Sequence, residues 1–477
     1  MSSTGNDRLD AALLRLVGVI LLGGVLGLLS STMVAVGLDL LAAEFDASLA
    51  TIGWASTGFL LAVTVAIPFT TWAVDRFGGK RMWLVGLALF AAASLAAAFA
   101  WDAGSLIAFR VLQGFGAGIL DPLVLILLAR AAGPARAGRV MGLMGVVLSL
   151  GPVVGPIFGG AVLDRLDWHW MFYLSVLIAA VVFALSLRAL PADPPREVGQ
   201  ERPRLDVIGL ALIGPGVAAL ILAASQAAEH SAFAVWQTLL PLAAGAVLLA
   251  VYAIRALRPG SAPLIDLRMF ANPGFSASVA IMGLTGVVMY ASLIVLPLYY
   301  QQAHGSSVLA AGLLIAPFGL GGTVSMPLAG WISDRIGSRV LARAGATVLL
   351  ACAIGLTRLD ADTPLEWPVA ATLAMGLASG FVSAPTMGSL YRALPASQVA
   401  QGSSVLYTLN QLGGSIGVAV VALILTTAAE GRGFPNVYWF LAAVLAAVLA
   451  ATWALPGGAP PPEAESRTEA EAGAVRS

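Results

Sequence analysis

WAVDRFGGKR (Trp72–Arg81) and GWISDRIGSR (Gly330–Arg339) are the two stretches whose comparison decides the fold. Each carries Asp-Arg-x-Gly at the end of a long apolar run, with a basic residue two positions after the glycine. Working outward, apolar runs of about 20 residues, each long enough to cross a hydrocarbon core, fall at 14–38, 50–74, 82–101, 105–129, 139–163, 169–190, 205–225, 235–255, 273–299, 307–331, 340–358, 366–391, 402–427 and 436–455. The first Asp-Arg-x-Gly follows the second run and its repeat follows the tenth. If each marks the second span of a six-span half, the halves begin at spans 1 and 9, and spans 7 and 8 are an inserted pair. This predicts an all-α membrane protein of fourteen spans. The expected division is a six-helix bundle over 1–190, a linker with the inserted pair over 191–260, a second six-helix bundle over 261–455, and a disordered polar tail over 456–477.

Composition agrees. Of 477 residues 59% are hydrophobic and 10% charged, where a soluble domain carries about 25% charged. The 53 glycines suit helices that approach closely in lipid. Charge is sided: with both termini in the cytoplasm, 21 basic residues fall in the termini and inner loops, and only Arg165, Arg358 and Arg432 in the outer ones. A wrong span count would scramble this asymmetry. Net charge is zero, so nothing suggests nucleic acid. Cys352 has no intrachain partner, and His169, His230 and His304 lack metal-ligand spacing. No cofactor, metal or catalytic set is implied, and an enzyme is not expected. The first apolar run is too long for a signal-peptide core and reads as a span. Arginine-rich, lysine-poor usage, with Lys80 the one lysine, suggests a GC-rich bacterial genome and hence a multi-pass inner-membrane protein.

Ionisable residues inside spans are costly and point to function. Two stand out, Arg110 and Asp121, both in span 4. Eleven residues apart, they share a helix face about 16 Å apart along the axis, so both are expected to line one aqueous cavity. Pro122 removes a backbone donor and leaves the Gly118 carbonyl without its helical partner; Gly114, Gly116 and Gly118 are read as adding conformational freedom. Asp121 is the residue expected to gain and lose a proton, the alternative being an acid that only hydrates the cavity. In span 5, Gly151, Gly155, Gly159 and Gly160 put most of their number on one face, with Pro152 and Pro156 bending it; the spacing reads as close helix packing. Asp75, Arg76 and Gly78, and their counterparts Asp334, Arg335 and Gly337, sit at basic helix ends. A path for lipophilic substrates is expected along Ser30, Ser31, Trp54, Phe59, Tyr290, Tyr299, Gln301, Tyr407, Asn410 and Gln411.

The chain resembles the major facilitator superfamily, specifically its fourteen-span drug/proton antiporter family, over roughly 14–455. The first Asp-Arg-x-Gly resembles the family's loop motif, with Thr71 in place of its leading Gly. RVLQGFGAG (Arg110–Gly118) resembles the span-4 motif and GPVVGPIFGG (Gly151–Gly160) the antiporter motif. DWHWMFYLSV resembles the family's W-R-W-x-F, with His169 for Arg; PLIDLRMF (Pro263–Phe270), LPLYYQQ (Leu296–Gln302) and NQLGGSIGVAV (Asn410–Val420) resemble the fourteen-span branch, with Asn410 for Arg. One departure matters most: in LSSTMVAVGLD (Leu29–Asp39), Ser30 stands where the family commonly has Asp, while Asp121 stands where it has an apolar residue. The resemblance implies two six-helix bundles plus two inserted helices, proton-coupled efflux of small hydrophobic compounds such as drugs or natural products, and a monomer in the bilayer. It implies a proton-coupling role for Arg110, a gate-sealing role for the span-5 motif, and charged latches at Asp75–Arg76 and Asp334–Arg335. The same scaffold also admits a lipid transporter or an uncoupled facilitator; a membrane sensor would need a signalling domain that the short polar tail does not supply.

Overall fold

The computed structural model describes residues 11–132, 155, 158–159, 161–163, 165–193, 205–230, 232, 234–258, 263–306, 308–360, 362–395, 398–428 and 432–456. The first four spans are α1 (Ala11–Val36), α3 (Leu49–Phe77), α4 (Gly79–Ala98) and α5 (Ala103–Ala132), with the short α2 (Leu38–Glu44) after the first. Most of span 5 lies outside the described residues. The remaining nine follow as α6 (His169–Ala189), α7 (Val207–His230), α8 (Trp236–Ala256), α9 (Pro273–His304), α10 (Val308–Ile336), α11 (Ser338–Leu356), α12 (Glu366–Ala393), α13 (Val399–Thr427) and α14 (Gly433–Ala451). Thirteen described helices are long and apolar enough to cross a membrane; with span 5 this matches the expected fourteen, and the all-α fold is as read.

The repeated motif has a conformational cause. Gly78 and Gly337 adopt φ of +97° and +90° and join α3 to α4 and α10 to α11. Only glycine takes this conformation without strain, so each Asp-Arg-x-Gly is a tight reversal between antiparallel helices. A neighbouring acid adds to the first: Asp193, beyond α6, accepts from the backbone N–H groups of Lys80 at 2.9 Å and Arg81 at 3.2 Å, the open start of α4.

Helices α1 and α3–α6 pack together, as do α9–α14. The end of the molecule bearing Arg15, Arg76, Arg130, Arg188, Arg335 and Arg392 is called here the basic end. There a single buried core joins both groups: Val17, Ile67 and Leu123 share it with Phe275, Met387 and Leu406. At the opposite end the cores are separate, one around Met33, Ile52 and Phe172, another around Tyr299, Tyr300 and Tyr438. Ser404 on α13 donates to the Ile67 carbonyl of α3 at 3.4 Å across the shared core. The bundles therefore meet at the basic end and part towards the other.

Helices α7 and α8 form a hairpin outside both groups. Helix α7 packs on α3 and on α13, and α8 packs on α7. Helix α8 carries much exposed apolar surface, including Trp236, Leu240, Val247 and Ile254, as a lipid-facing helix should. The hairpin is tied to the segment entering α9. Asp206 accepts from Arg255 Nη1 at 2.7 Å, Gly209 N at 2.8 Å and Leu264 N at 3.3 Å, while the Tyr252 hydroxyl donates to the Ile265 carbonyl at 2.7 Å. Burial alone would push the Asp206 carboxyl up, but the Arg255 hydrogen bond, the two N–H donors and the Arg255 charge hold it below the usual carboxylate range.

Candidate transport cavity

Between the bundles lies a cavity of about 240 Å³. Its floor, towards the basic end, is Val124, Leu125, Met387 and Leu406, all part of the shared core or in contact with it. Its walls come from α1 (Gly27, Ser31, Thr32), α3 (Phe59, Val63), α5 (Ala117, Asp121), α9 (Met282, Thr285, Met289, Tyr290), α10 (Phe318, Met326), α12 (Ser379, Ser383) and α13 (Tyr407, Asn410, Gln411). Both bundles contribute, and no residue of the α7–α8 hairpin does.

Asp121 is the one carboxylate among the described lining residues, and no basic side chain is found among them. It is partly exposed to the cavity and makes no hydrogen bond or ion pair among the described residues. Its carboxylate lies over Gly27 of α1, close enough that a methyl group there would sit 3.6 Å from Oδ1. Across the cavity the Tyr290 hydroxyl donates to Gln411 Oε1 at 2.9 Å. Asn410 donates to the Met282 carbonyl at 3.0 Å, so its amide braces α13 on α9.

The Gly118 carbonyl, left by Pro122 without a helical donor, is taken by the Thr70 hydroxyl of α3 at 3.2 Å. The three glycines before it serve close approach, not freedom of conformation, which corrects the reading from sequence. A methyl group at Gly114 would lie 2.9 Å from Ala62 Cβ, and one at Gly118 2.8 Å from Ala66 Cβ, so α3 rides directly on α5. At Gly116 the methyl would lie 2.7 Å from the Phe90 nitrogen of α4.

Arg110 does not line the cavity, contrary to expectation. It is wholly buried, because α3 crosses over this part of α5 and places Phe59 on the guanidinium, 4.2 Å from ring centroid to Arg110 Cζ. Its partners are all neutral: Nε donates to the Ala55 carbonyl at 3.2 Å, and Nη1 to Ser30 Oγ at 2.8 Å and to Gln113 Oε1. Gln113 in turn donates to Ser94 Oγ on α4 at 2.6 Å. Nη2 has no partner among the described residues. A buried charge is normally paired; here hydroxyl, amide, carbonyl and ring stand in for the carboxylate.

The other expected path residues divide. Ser31, Phe59, Tyr290, Tyr407, Asn410 and Gln411 are at the cavity. Ser30 is buried on Arg110. Trp54 is exposed and not in the lining. Tyr299 faces the core of α9–α14, donating to the Asp360 carbonyl at 2.9 Å and meeting the Phe434 ring. Gln301 donates to the Pro297 carbonyl of its own helix at 3.3 Å. The four methionines Met282, Met289, Met326 and Met387 were not foreseen; the spacing of seven between the first two marks one face of α9.

At the basic end Asp75 lies 3.9 Å from Arg130 within the first bundle, both half exposed. The Arg335 guanidinium stacks on Trp331 at 3.9 Å; nothing is described for the side chain of Asp334. In the span-5 motif Gly155 lies against Thr32, and Gly159 against the Met33 backbone, where a methyl group would come within 3.1 Å of Cα. Gly151, Pro152, Pro156 and Gly160 lie outside the described residues.

Two bundles around a cavity, each opened by the same reversal motif, define a membrane transporter. The family model of the Major Facilitator Superfamily matches residues 20–418, and the chain belongs to that superfamily. It is 34% identical over 423 residues, 88% of this chain and 77% of the relative, to the multidrug resistance protein B homolog of Mycobacterium tuberculosis. It is 27% identical over 426 residues to the lincomycin resistance protein LmrB of Listeria monocytogenes, covering 89% of this chain and 88% of that protein. Among solved structures, the proton:xylose symporter XylE shares the fold with a TM-score of 0.68 at 14% identity, over 94% of this chain and 97% of that one. The human organic anion transporter MFSD10 (TETRAN) does so with a TM-score of 0.64 at 17% identity, over 93% and 100%. The chain is thus a multi-pass membrane transporter, of a family that is not enzymatic, with bacterial relatives.

Proposed function

We propose that this transporter exports small lipophilic compounds from a bacterial cell in exchange for protons, with Asp121 as the group that carries the proton. The observation that carries the reading is a lone carboxylate, unpaired among the described residues, in a largely apolar cavity between two bundles whose other polar groups are neutral. Such a group must change charge for transport to be coupled, and among the described residues no other carboxylate and no basic side chain lines the cavity. The names of the multidrug and lincomycin resistance relatives support a drug-like cargo. Basic residues mark the cytoplasmic side of membrane proteins, so the basic end is assigned to the cytoplasm, with both termini there. The closed end of the cavity then faces inward, and the conformation is the one that releases cargo outside. The span-5 glycines against α1 keep that closure tight, and Asp75, Arg76, Asp334 and Arg335 act at its rim. The protein works as a monomer of two six-helix bundles, and the α7–α8 hairpin moves with the second, to which Asp206 and Tyr252 bind it.

The test is efflux from proteoliposomes under a fixed pH gradient. Asp121→Asn keeps the shape and cannot ionise. It is expected to abolish gradient-driven transport while substrate counterflow survives. A rate and pH dependence equal to the parent's would mean that the coupling acid is elsewhere or that transport is uncoupled.

A further inference from the structure

A second cavity lies away from the transport path, on the outer surface of the first bundle. It is a groove of about 540 Å³ between α1 and α6 at the basic end. Arg15 of α1 and Arg188 in the last turn of α6 stand at its charged rim, and both are exposed. Val19, Leu22 and Leu185 form its walls, and Gly18 leaves it open, since a methyl group there would meet nothing within 4 Å. Among the described residues, no acid lines it. Neither arginine has a hydrogen bond or ion pair among the described residues. The acid beyond α6, Asp193, is occupied by the N–H groups of Lys80 and Arg81. Lys80 adds its own charge beside the groove, its Nζ donating to the carbonyls of Leu187 at 3.0 Å and Leu190 at 2.6 Å.

Depth fixes the chemistry of the occupant. Along α1, Leu22 lies seven residues, about 10 Å, further into the membrane than Arg15. A ligand filling the groove must present anionic charge at the helix ends and hydrocarbon one to two turns below. We propose that this groove is a binding site for an anionic phospholipid, whose headgroup phosphate is held between Arg15 and Arg188 and whose acyl chain lies over Gly18 against Val19, Leu22 and Leu185. The site would fasten α1, which carries Ser30 and the cavity wall, to α6 at the membrane surface. A guanidinium pair suits this role because each presents several donors in a plane to phosphate oxygens.

Native mass spectrometry of the full chain in detergent tests the site, with phosphatidylglycerol, phosphatidylcholine of the same chains, and inorganic phosphate as probes. The parent is expected to retain phosphatidylglycerol over phosphatidylcholine, and inorganic phosphate is expected not to displace it. Each of Arg15→Gln and Arg188→Gln should lower that preference about fivefold, and the pair about thirtyfold, by the worth of a cation facing an anionic headgroup. Gly18→Leu keeps every charge and fills the groove; it should lose the retained lipid as well, and stands as the test if the double variant does not fold. Equal retention of the two lipids by the parent would overturn the proposal. So would undiminished preference in the double variant or in Gly18→Leu, or displacement by inorganic phosphate, which would mark a free-anion site.

Discussion

Ser30→Asp should stabilise the folded protein, although it buries a charge. Ser30 Oγ accepts from Arg110 Nη1 at 2.8 Å, and Nη2 beside it is buried with no partner among the described residues. A carboxylate in the place of the hydroxyl presents two oxygens, one for each terminal nitrogen, in the bidentate geometry that arginine favours. Desolvating the carboxylate costs several kcal/mol. A unit charge pair about 4 Å apart at an effective dielectric of 20 recovers ~4 kcal/mol, and giving the orphaned donor a charged partner adds about 1.5–3 kcal/mol. The balance is a gain of about 1–3 kcal/mol, or a rise in Tm of roughly 1–3 °C for a protein of this size. Cys352, the single cysteine and only partly buried, permits a thiol-reactive dye assay in detergent at one fixed scan rate. The comparison that matters is a cycle with Arg110→Gln. Without the guanidinium, Ser30→Asp leaves a lone buried carboxylate and should lower Tm, so the sign of the effect reverses between backgrounds. If the substitution shifts Tm equally in both, there is no coupling between positions 30 and 110 and the neutral cage around Arg110 is wrong. Ser30→Asn, which cannot accept from both nitrogens, should not reproduce the gain.

Thr70→Val removes the donor to the Gly118 carbonyl and should destabilise by about 1–3 kcal/mol, whereas Thr70→Ser should stay near the parent in the same dye assay; equal losses would mean that the methyl and not the hydroxyl matters. Gly159→Leu should impair efflux while protein remains in the membrane, because the side chain must push α1 away at Met33; normal efflux would count against a close-packed contact. Asp206→Asn should lower stability near neutral pH by about 1.5–3 kcal/mol. Because the folded-state value of Asp206 is depressed, its stabilisation is present above the unfolded carboxylate value of about 3.9 and lost as pH falls through the lower folded one. The Tm gap between parent and variant should therefore narrow below about pH 4, and a gap constant down to pH 3 would show that the charge is not responsible.

The span pattern was legible because hydropathy and basic-loop asymmetry are properties of composition along the chain. The reversal glycines were legible too, since Gly78 and Gly337 sit in a repeated motif. Asp121 stood out for a related reason: an acid inside an apolar run is conspicuous without any knowledge of packing. The substrate path was half legible, and the misses have a simple geometric cause. Tyr290 and Tyr299 are nine residues apart, so at 100° per residue they lie on opposite sides of α9. One faces the cavity and the other the core of its own bundle. On the same wheel Met282 and Met289 lie within about 20° of each other but roughly 80–100° from Tyr290, midway to Tyr299, so periodicity alone does not assign them to the cavity. What no periodicity reveals is the surroundings of Arg110, where Ala55 of α3, Ser94 of α4 and Ser30 of α1 converge from three other helices. Arg110 and Asp121 do share a face of α5, as the spacing requires. That face is open at Asp121 and capped by Phe59 at Arg110, and only the crossing of α3, set by Gly114 and Gly118, decides which.

That crossing bears on how coupling must work if Asp121 carries the proton. In a site where an acid pairs with the buried arginine, protonation breaks an ion pair and frees the helices that the pair joined. Here the guanidinium is held by neutral groups whatever the state of Asp121, and the two lie about 16 Å apart along one helix. Loading a proton therefore cannot release Arg110. Its effect must be local to the cavity: a neutral Asp121 no longer needs water or a cationic group near Gly27 and Tyr290, so the walls from α1 and α9 can approach each other. The charge state of one side chain would then set whether the gap between the bundles is cheap or costly to close. This places the energetic lever at the cavity wall itself, and leaves the Arg110 cluster as the rigid frame that fixes α1, α3, α4 and α5 relative to one another while the wall changes.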